Sequence, residues 1–345
     1  IQYAKDRPVG YDRDRLVMVP RVTTDFHAHF DAAREELKTA GVIAEMAESS
    51  APVTGVSETN SGFEWPGKDP NLALDFPNTG VSVDYGKTVG WQFVAGRDFS
   101  REFPTDTSAF VINEAAVRFM GLKHPVGTVI KWDGYSFTII GVIRDMLMES
   151  PYFSVRPSLY CTVKDHTDFE LLRIPGNVSM TAALDKCKTV FTRYSPAEPF
   201  DYMFADNEYA RKFGDEQRIG KLAGLFASLA ILISCLGLFG MASFMAERRT
   251  REIGVRKVLG AGVFRLWRML SKDFVVLVML SLAVAMPLSG WLMHRWLAGY
   301  QYHSGLSWWI FAAAGAGALV ITLVTVSWQA VRAATANPVD SLRSE

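Results

Sequence analysis

Three long stretches without a single charged residue constrain this chain more than anything else in it. They cover residues 222–246, 274–293 and 304–331, which is 25, 20 and 28 residues. A bilayer core about 30 Å thick needs roughly 20 helical residues at about 1.5 Å each, so all three are long enough to cross. The first holds eleven Leu, Ile or Phe residues. At roughly −0.3 to −0.6 kcal/mol apiece they contribute about −5 kcal/mol toward insertion, half of which one central Arg would cancel. Helices of a soluble core rarely run so far without a polar face. We therefore read three membrane spans at the C-terminal end of a larger water-soluble part.

Charge follows the same division. Residues 1–215 hold 23 Lys+Arg and 30 Asp+Glu; residues 216–345 hold 13 and 6. The 36 basic and 36 acidic residues of the whole chain cancel, which excludes a strongly basic nucleic-acid binder. Three cysteines exclude a disulfide scaffold and a multi-Cys zinc or iron–sulfur site. Cys161 and Cys187 could pair in an oxidising compartment or remain two thiols. Cys235 is read as a packing residue of the first span.

The connectors orient the spans. Between the first two lie Arg248, Arg249, Arg251, Arg256, Lys257, Arg265, Arg268 and Lys272, against Glu247, Glu252 and Asp273; the next connector has only Arg295. The positive-inside rule puts the first connector and the C-terminus in the cytoplasm and the soluble part outside. Trp291, Trp296, Tyr300, Trp308 and Trp309 form an aromatic belt at the outer ends. A domain outside the cell needs something to carry it across. Residues 1–20 supply no leader, so a further span is expected before Ile1. No Asp, Glu, Lys or Arg lies mid-span, unlike an ion-driven transporter with an intramembrane relay. The small-residue pairs Gly224/Ser228, Ala230/Ser234 and Ala313/Gly317, with Gly237 and Gly240, are expected to pack against other helices. Pro287 is expected to kink the second span.

The soluble part reads as mixed α/β. A strand over residues 16–19 ends at Pro20. Thr24 is expected to cap a helix through Ala40, closed by Gly41. Short strands are predicted near 53–56 and 81–85. Asn113 caps a helix over 114–120 that ends at Gly121. Strands 128–132 and 135–143 flank the hairpin signal Asp133-Gly134. Further strands are predicted near 158–163 and 169–174, and a helix near 180–194. A last helix from Asp206 is expected to run unbroken into the first span, with Tyr209 and Phe213 on one apolar side; Gly214 and Gly220 weaken it and leave room for a bend at the membrane surface. His27 and His29, two apart on a helix, diverge and make a poor metal pair. No phosphate-binding G-x-x-x-x-G-K-[ST] loop, H-E-x-x-H or G-x-S-x-G motif occurs, so neither an enzyme nor a cofactor is expected.

The connector itself reads E-R-R-T-R-E-I-G-V-R-K-V-L-G-A over 247–261. A purely topogenic basic loop accounts for its charges but not for Ile253, Val255, Val258 and Leu259 set among them. A short amphipathic helix seated in a groove of a cytoplasmic partner accounts for both. This run resembles the signature of the FtsX-like, MacB-like permeases of ABC transporters. Cys235-Leu236-Gly237-Leu238-Phe239-Gly240 and the tail from Ala333 to Glu345 resemble the same family. Gly96-Arg97-Asp98-Phe99, Val111-Ile112-Asn113-Glu114-Ala115-Ala116 and Ile139-Ile140-Gly141-Val142-Ile143-Arg144-Asp145 resemble its extracytoplasmic core. The likeness is strongest to long, duplicated permeases of Bacteroidetes-type bacteria, of which this would be the second block without its leading span.

The resemblance implies an α+β extracytoplasmic domain (a MacB-like periplasmic core domain) joined to an all-α membrane domain of three transmembrane helices. Its parts would be a periplasmic domain over 1–205, a stalk helix over 206–221, spans over 222–246, 274–296 and 306–331, a coupling segment over 247–272, a short periplasmic loop over 297–305 and a cytoplasmic tail over 332–345. It implies that Glu247, Arg248, Arg249, Arg251, Glu252, Ile253, Gly254, Arg256, Lys257, Gly260 and Ala261 touch an ABC ATP-binding subunit. Further implied partners are the lipid bilayer, a second permease block or copy, a periplasmic adaptor and an outer-membrane channel. The implied setting is the bacterial inner membrane. The implied role is outward movement of antimicrobial compounds, peptides or lipoproteins by mechanotransmission, or alternatively regulation of a cell-envelope hydrolase by a non-transporting adaptor.

Overall fold

The structure, a computed structural model, describes residues 5, 7–23, 25–162, 167–249, 252, 253, 255, 256, 259, 261–300 and 305–335. The chain divides into two units, Ile1–Gly214 and Asp215–Glu345.

The strands of the first unit are β1 (Leu16–Pro20), β2 (Glu45–Ser49), β3 (Thr59–Asn60), β4 (Phe76–Val81), β5 (Phe93–Gly96), β6 (Ala109–Asn113), β7 (Val129–Trp132), β8 (Tyr135–Ile143), β9 (Leu159–Thr162), β10 (Phe169–Arg173) and β11 (Met203–Phe204). Its helices are α1 (Asp25–Ala28), α2 (Phe30–Thr39), α3 (Tyr85–Val89), α4 (Glu114–Met120), α5 (Met180–Tyr194) and α6 (Ala205–Arg211). One mixed sheet runs β11-β1-β10-β2-β4-β9-β6-β8-β5, with β3 paired to β4 and β7 to β8.

That order holds two halves. In β11-β1-β10-β2 every pairing is antiparallel. β1 and β2, joined through α1 and α2, flank β10; β10 and β11, joined through α5, flank β1. Two β-α-β units are thus interleaved, the split arrangement of ferredoxin-like folds. The apolar sides of α2 and α5 close over it, burying Val17, Phe26, Leu37, Met46, Leu172, Cys187 and Val190. The rings of Phe26 and Phe191 stack at 4.0 Å. The other half is inserted between β2 and β10 and has a core of its own around Phe63, Phe76, Phe110, Ile112, Ile139 and Leu159. Each such fully buried side chain contributes roughly 1.5–3 kcal/mol. Between the halves, β2 and β4 share one register pair, Ser49 with Val81.

Local chemistry sets several elements where the sequence predicts them. The Asn113 side chain accepts from the Ala116 N–H and caps α4, which ends on left-handed Gly121. Asp133 and Gly134, at φ 49° and 79°, form the two-residue turn between β7 and β8. Other expectations are corrected. The helix expected up to Ala40 is broken at His29 into α1 and α2; its expected cap, Thr24, lies outside the described residues. Residues 53–56 form turns rather than a strand, and the strand expected over 81–85 is β4, which stops at Val81. The helix from Asp206 does not run on unbroken: α6 ends at Arg211, and Lys212 and Phe213 form a turn.

The second unit consists of α7 (Gly214–Arg248), α8 (Val263–Leu297) and α9 (Trp308–Thr335). Each has a stretch long and apolar enough to cross a membrane. Residues 263–272, part of the coupling segment expected over 247–272, form the start of α8. Every residue of α7 from 221 to 234 is exposed in the single chain. An apolar helix so bare must find lipid or other helices. Where α7, α8 and α9 meet, Ala242, Phe274 and Val326 are buried together.

Candidate functional site

The connector between α7 and α8 begins as helix. Glu247 and Arg248 are the last two residues of α7. The ladder continues past them, with the Arg249 N–H donating to the Met245 carbonyl at 3.1 Å and the Ile253 N–H to the Arg249 carbonyl at 2.9 Å. Further bonds link Leu259 to Val255 and Ala261 to Arg256. Arg251, Gly254, Lys257 and Gly260 lie outside the described residues.

The apolar residues of the connector part company. Ile253 is buried against Leu266 of α8, beside Ala261, Trp267 and Met269. Val255 and Leu259 stay exposed, at 50% and 79%. Arg249 pairs with Asp273 at 3.1 Å, and Arg256 with Glu252 at 2.7 Å, one helical turn away. Arg256 also reaches the Met269 sulfur at 2.8 Å. At the foot of α8 the Trp267 ring N–H donates to the Ser327 hydroxyl of α9 at 2.8 Å. One side of the connector is therefore seated on its own spans, and the other presents two aliphatic side chains beside a guanidinium–carboxylate pair. Such a surface suits a protein partner, with apolar anchors and charge-assisted hydrogen bonds at their rim.

The small-residue pairs behave differently from one another. Gly224, Ser228, Ala230, Ser234, Gly237, Gly240, Ala313 and Gly317 are all exposed within this chain. The Ser228 hydroxyl bonds back to the Gly224 carbonyl. On α9 a buried small residue is Gly315, where an added Cβ would lie 2.5 Å from the end of the Met286 side chain on α8. Two residues from both Ala313 and Gly317, it points to the opposite side of α9. Pro287 lies inside α8, which continues through it.

In the first unit, the three family-like motifs are joints of the inserted half. Gly96 has φ 74°, and a side chain there would run into the Ile140 carbonyl. The Arg97 guanidinium grips Asp106 with two bonds of 2.6 and 2.8 Å, and Asp106 also accepts from the Ser100 N–H. Burial pushes the Asp106 carboxyl up, but Arg97 and the Ser100 N–H outweigh it and hold it below its ordinary value. Asp145 accepts from the Ala115 N–H at 2.7 Å and from Arg118 at 2.5 Å. Asn113 bonds to Ala116, Ser158 and Arg156 at once.

One acidic cluster is not foreshadowed by any motif. Glu48 and Glu170 face each other in the β2–β10 register, and both are buried. Glu48 accepts from His27 Nδ1 at 2.7 Å, with Arg21 and Thr167 each at 3.4 Å. Glu170 Oε1 has no hydrogen bond among the described residues. Burial, then the Glu48 charge, push the Glu170 carboxyl up to about 8, with Arg21 opposing and Glu198 adding. Cys161 and Cys187 are both free and sit in the separate cores of the two halves. Burial pushes their thiols up to about 11 and about 12.

Comparison with known proteins follows the same division. Residues 7–187 match the MacB-like periplasmic core domain family, and residues 224–338 match the FtsX-like permease C-terminal family. The macrolide export ATP-binding/permease protein MacB of Sodalis glossinidius is 24% identical over 314 residues, covering 86% of this chain and 47% of that protein. MacB of Neisseria gonorrhoeae is 24% identical over 231 residues, 63% of this chain and 35% of that one. The uncharacterized ABC transporter permease YknZ of Bacillus subtilis is 22% identical over 279 residues, 77% of this chain and 69% of that one. The chain thus spans about half the length, or less, of the MacB relatives it matches. The crystal structure of the periplasmic region of MacB from Actinobacillus actinomycetemcomitans aligns with 60% of this chain and 96% of its own, at 13% identity and a TM-score of 0.43. The extracellular domain of YknZ aligns with 55% and 98%, at 12% identity and a TM-score of 0.39. With an α+β core domain over residues 7–187 and three helices able to span a membrane after it, this chain belongs to the MacB-like, FtsX-like permease family of ABC transporters.

Proposed function

We propose that the chain is a permease subunit that couples ATP hydrolysis on a separate ATP-binding subunit to movement of its periplasmic domain. In this reading it sits in the inner membrane with the connector and the C-terminus in the cytoplasm. It pairs with a second permease block or copy and moves antimicrobial compounds, peptides or lipoproteins outward, with a periplasmic adaptor and an outer-membrane channel as its outer partners. The observation that carries the reading is the two-sided connector. Ile253 locks one side to α8, while Val255 and Leu259 stand exposed beside Arg256 and Glu252. The lack of charge inside the spans supports a driving force supplied by another chain. Macrolide export and ATP binding stand in the names of the MacB relatives and agree with it.

The test is ATP hydrolysis by the reconstituted complex. Arg251→Glu, which removes a charged contact worth about 1.4 kcal/mol, and Gly254→Trp, which puts bulk where the partner would seat, should leave membrane insertion intact and lower permease-stimulated hydrolysis by about tenfold or more. Stimulation at the wild-type level in both variants contradicts the reading.

A further inference from the structure

Lys212 stands two residues before α7 begins. An ammonium group has three N–H donors. All three are taken by backbone carbonyls: Thr54, Met148 at 2.5 Å and Glu149 at 2.9 Å. Thr54 lies on the chain as it leaves β2 for the inserted half. Met148 and Glu149 lie on the connection from β8 to β9 within that half. Burial draws Lys212 down to about 8, against the pull of Glu149 and Glu208, so at neutral pH it keeps its three donors.

The surroundings make this a joint rather than a stray contact. Phe213 is fully buried, edge-on to Tyr152 of the β8–β9 connection at 5.8 Å. On its other side it meets Tyr209 of α6 at 5.3 Å, and Arg13 lies over the Tyr209 ring at 4.1 Å. Arg7 adds bonds to the Pro151 and Phe153 carbonyls of the same connection, at 3.0 and 2.7 Å. So α6 is tied to the interleaved half through Tyr209 and β11, and to the inserted half through Lys212 and Phe213. In the sheet, β2 and β4 share one register pair, and the Ser50–Gly80 and Ser82–Glu48 backbone bonds, with Arg173 on the Thr88 carbonyl, complete the seam; Lys212 gives the inserted half an attachment away from that seam.

We infer that Lys212 is the positioning residue through which the turn after α6 holds the inserted half, so that a displacement arriving at that turn moves both halves of the domain together. The inference rests on the mechanotransmission reading for its purpose, but the clamp itself can be tested without nucleotide. The protein is the full chain in lipid nanodiscs, carrying Cys235→Ser; Cys161 and Cys187 are buried. Spin labels at Asn207→Cys and Lys123→Cys read α6 against the inserted half. Labels at Asn207→Cys and Ala182→Cys read α6 against the interleaved half.

Without nucleotide, Lys212→Met should roughly double the width of the 207–123 distance distribution and leave the 207–182 distribution as it was. Lys212→Arg, which keeps the charge but spreads its donors over a planar fork, should give a distribution narrower than that of Lys212→Met. A merely structural lesion would broaden both pairs. Lys212→Gln, with fewer donors, should give an intermediate width and serves if the Met variant does not accumulate. Equal 207–123 widths in wild type and in Lys212→Met or Lys212→Gln overturn the inference, as does equal broadening of both pairs. With the ATP-binding subunit present both proteins should hydrolyse ATP, and on vanadate trapping the 207–123 distance should stay fixed in the wild type, whose halves move together, and shift in Lys212→Met; a shift of equal size in the wild type overturns the inference. If trapping shifts the 207–123 pair in neither protein, the coupling reading fails, while the clamp still stands or falls on the nucleotide-free widths.

Discussion

Glu170 carries the clearest pH signature of the molecule. Its ordinary pKa is about 4.3, and burial opposite Glu48 raises it to about 8 in the folded chain. Between those values the folded state holds a proton that the unfolded state has lost. Stability therefore falls as pH rises from about 4 to about 8, and levels off above. Glu170→Gln removes that proton requirement. It should stabilise the protein by about 1–3 kcal/mol at pH 8 and much less at pH 5, flattening the melting temperature against pH. A variant whose melting curve keeps the wild-type pH slope would contradict this. At Asn113, one side chain satisfies the Ala116 and Ser158 N–H groups and the Arg156 carbonyl. Asn113→Ala should cost about 2–4 kcal/mol, seen as a lower unfolding midpoint of the periplasmic domain; a loss under about 0.5 kcal/mol would contradict the count.

Among the elements, the connector makes a sharper distinction than its composition suggests. Ile253 and Leu259 are both aliphatic, but the first is buried under α8 and the second is 79% exposed. Ile253→Asp should lower thermal stability in detergent, because it buries an unpaired charge. Leu259→Asp should leave stability alone and abolish stimulation of the ATP-binding subunit. The reverse pattern would mean that the seated and free sides are exchanged. For α9, Gly315→Leu should destabilise the α8–α9 contact by about 1–3 kcal/mol in a detergent melt, and Gly317→Leu should not. What could be read ahead in these elements depended on how local the cause was. The cap at Asn113, the Asp133-Gly134 turn and the helix over 180–194 follow from neighbouring residues. The break at His29 does not, because it falls inside an otherwise continuous helical pattern; the turn at Lys212 falls beside Gly214, a weak point in the sequence, but its position is not set by that residue alone. Gly315 was hidden by the more regular spacing of Ala313 and Gly317.

At the scale of the whole molecule, the division into an α+β unit and three apolar helices is written in the charge pattern and needs no long-range information. The interleaving of β1, β2, β10 and β11 around an inserted half does need it: the strands that pair are more than a hundred residues apart. The joints between halves are equally silent, since the carbonyls that hold Lys212 belong to any residue type. The account turns on which side of the membrane the connector faces, and sidedness can be measured in intact cells. Single cysteines replace Glu102 in the periplasmic core domain and Leu259 in the connector, both exposed, and are offered a membrane-impermeant maleimide. The account predicts that Glu102→Cys reacts in intact spheroplasts and that Leu259→Cys reacts only after the membrane is permeabilised. Labelling of Leu259→Cys from outside would contradict it.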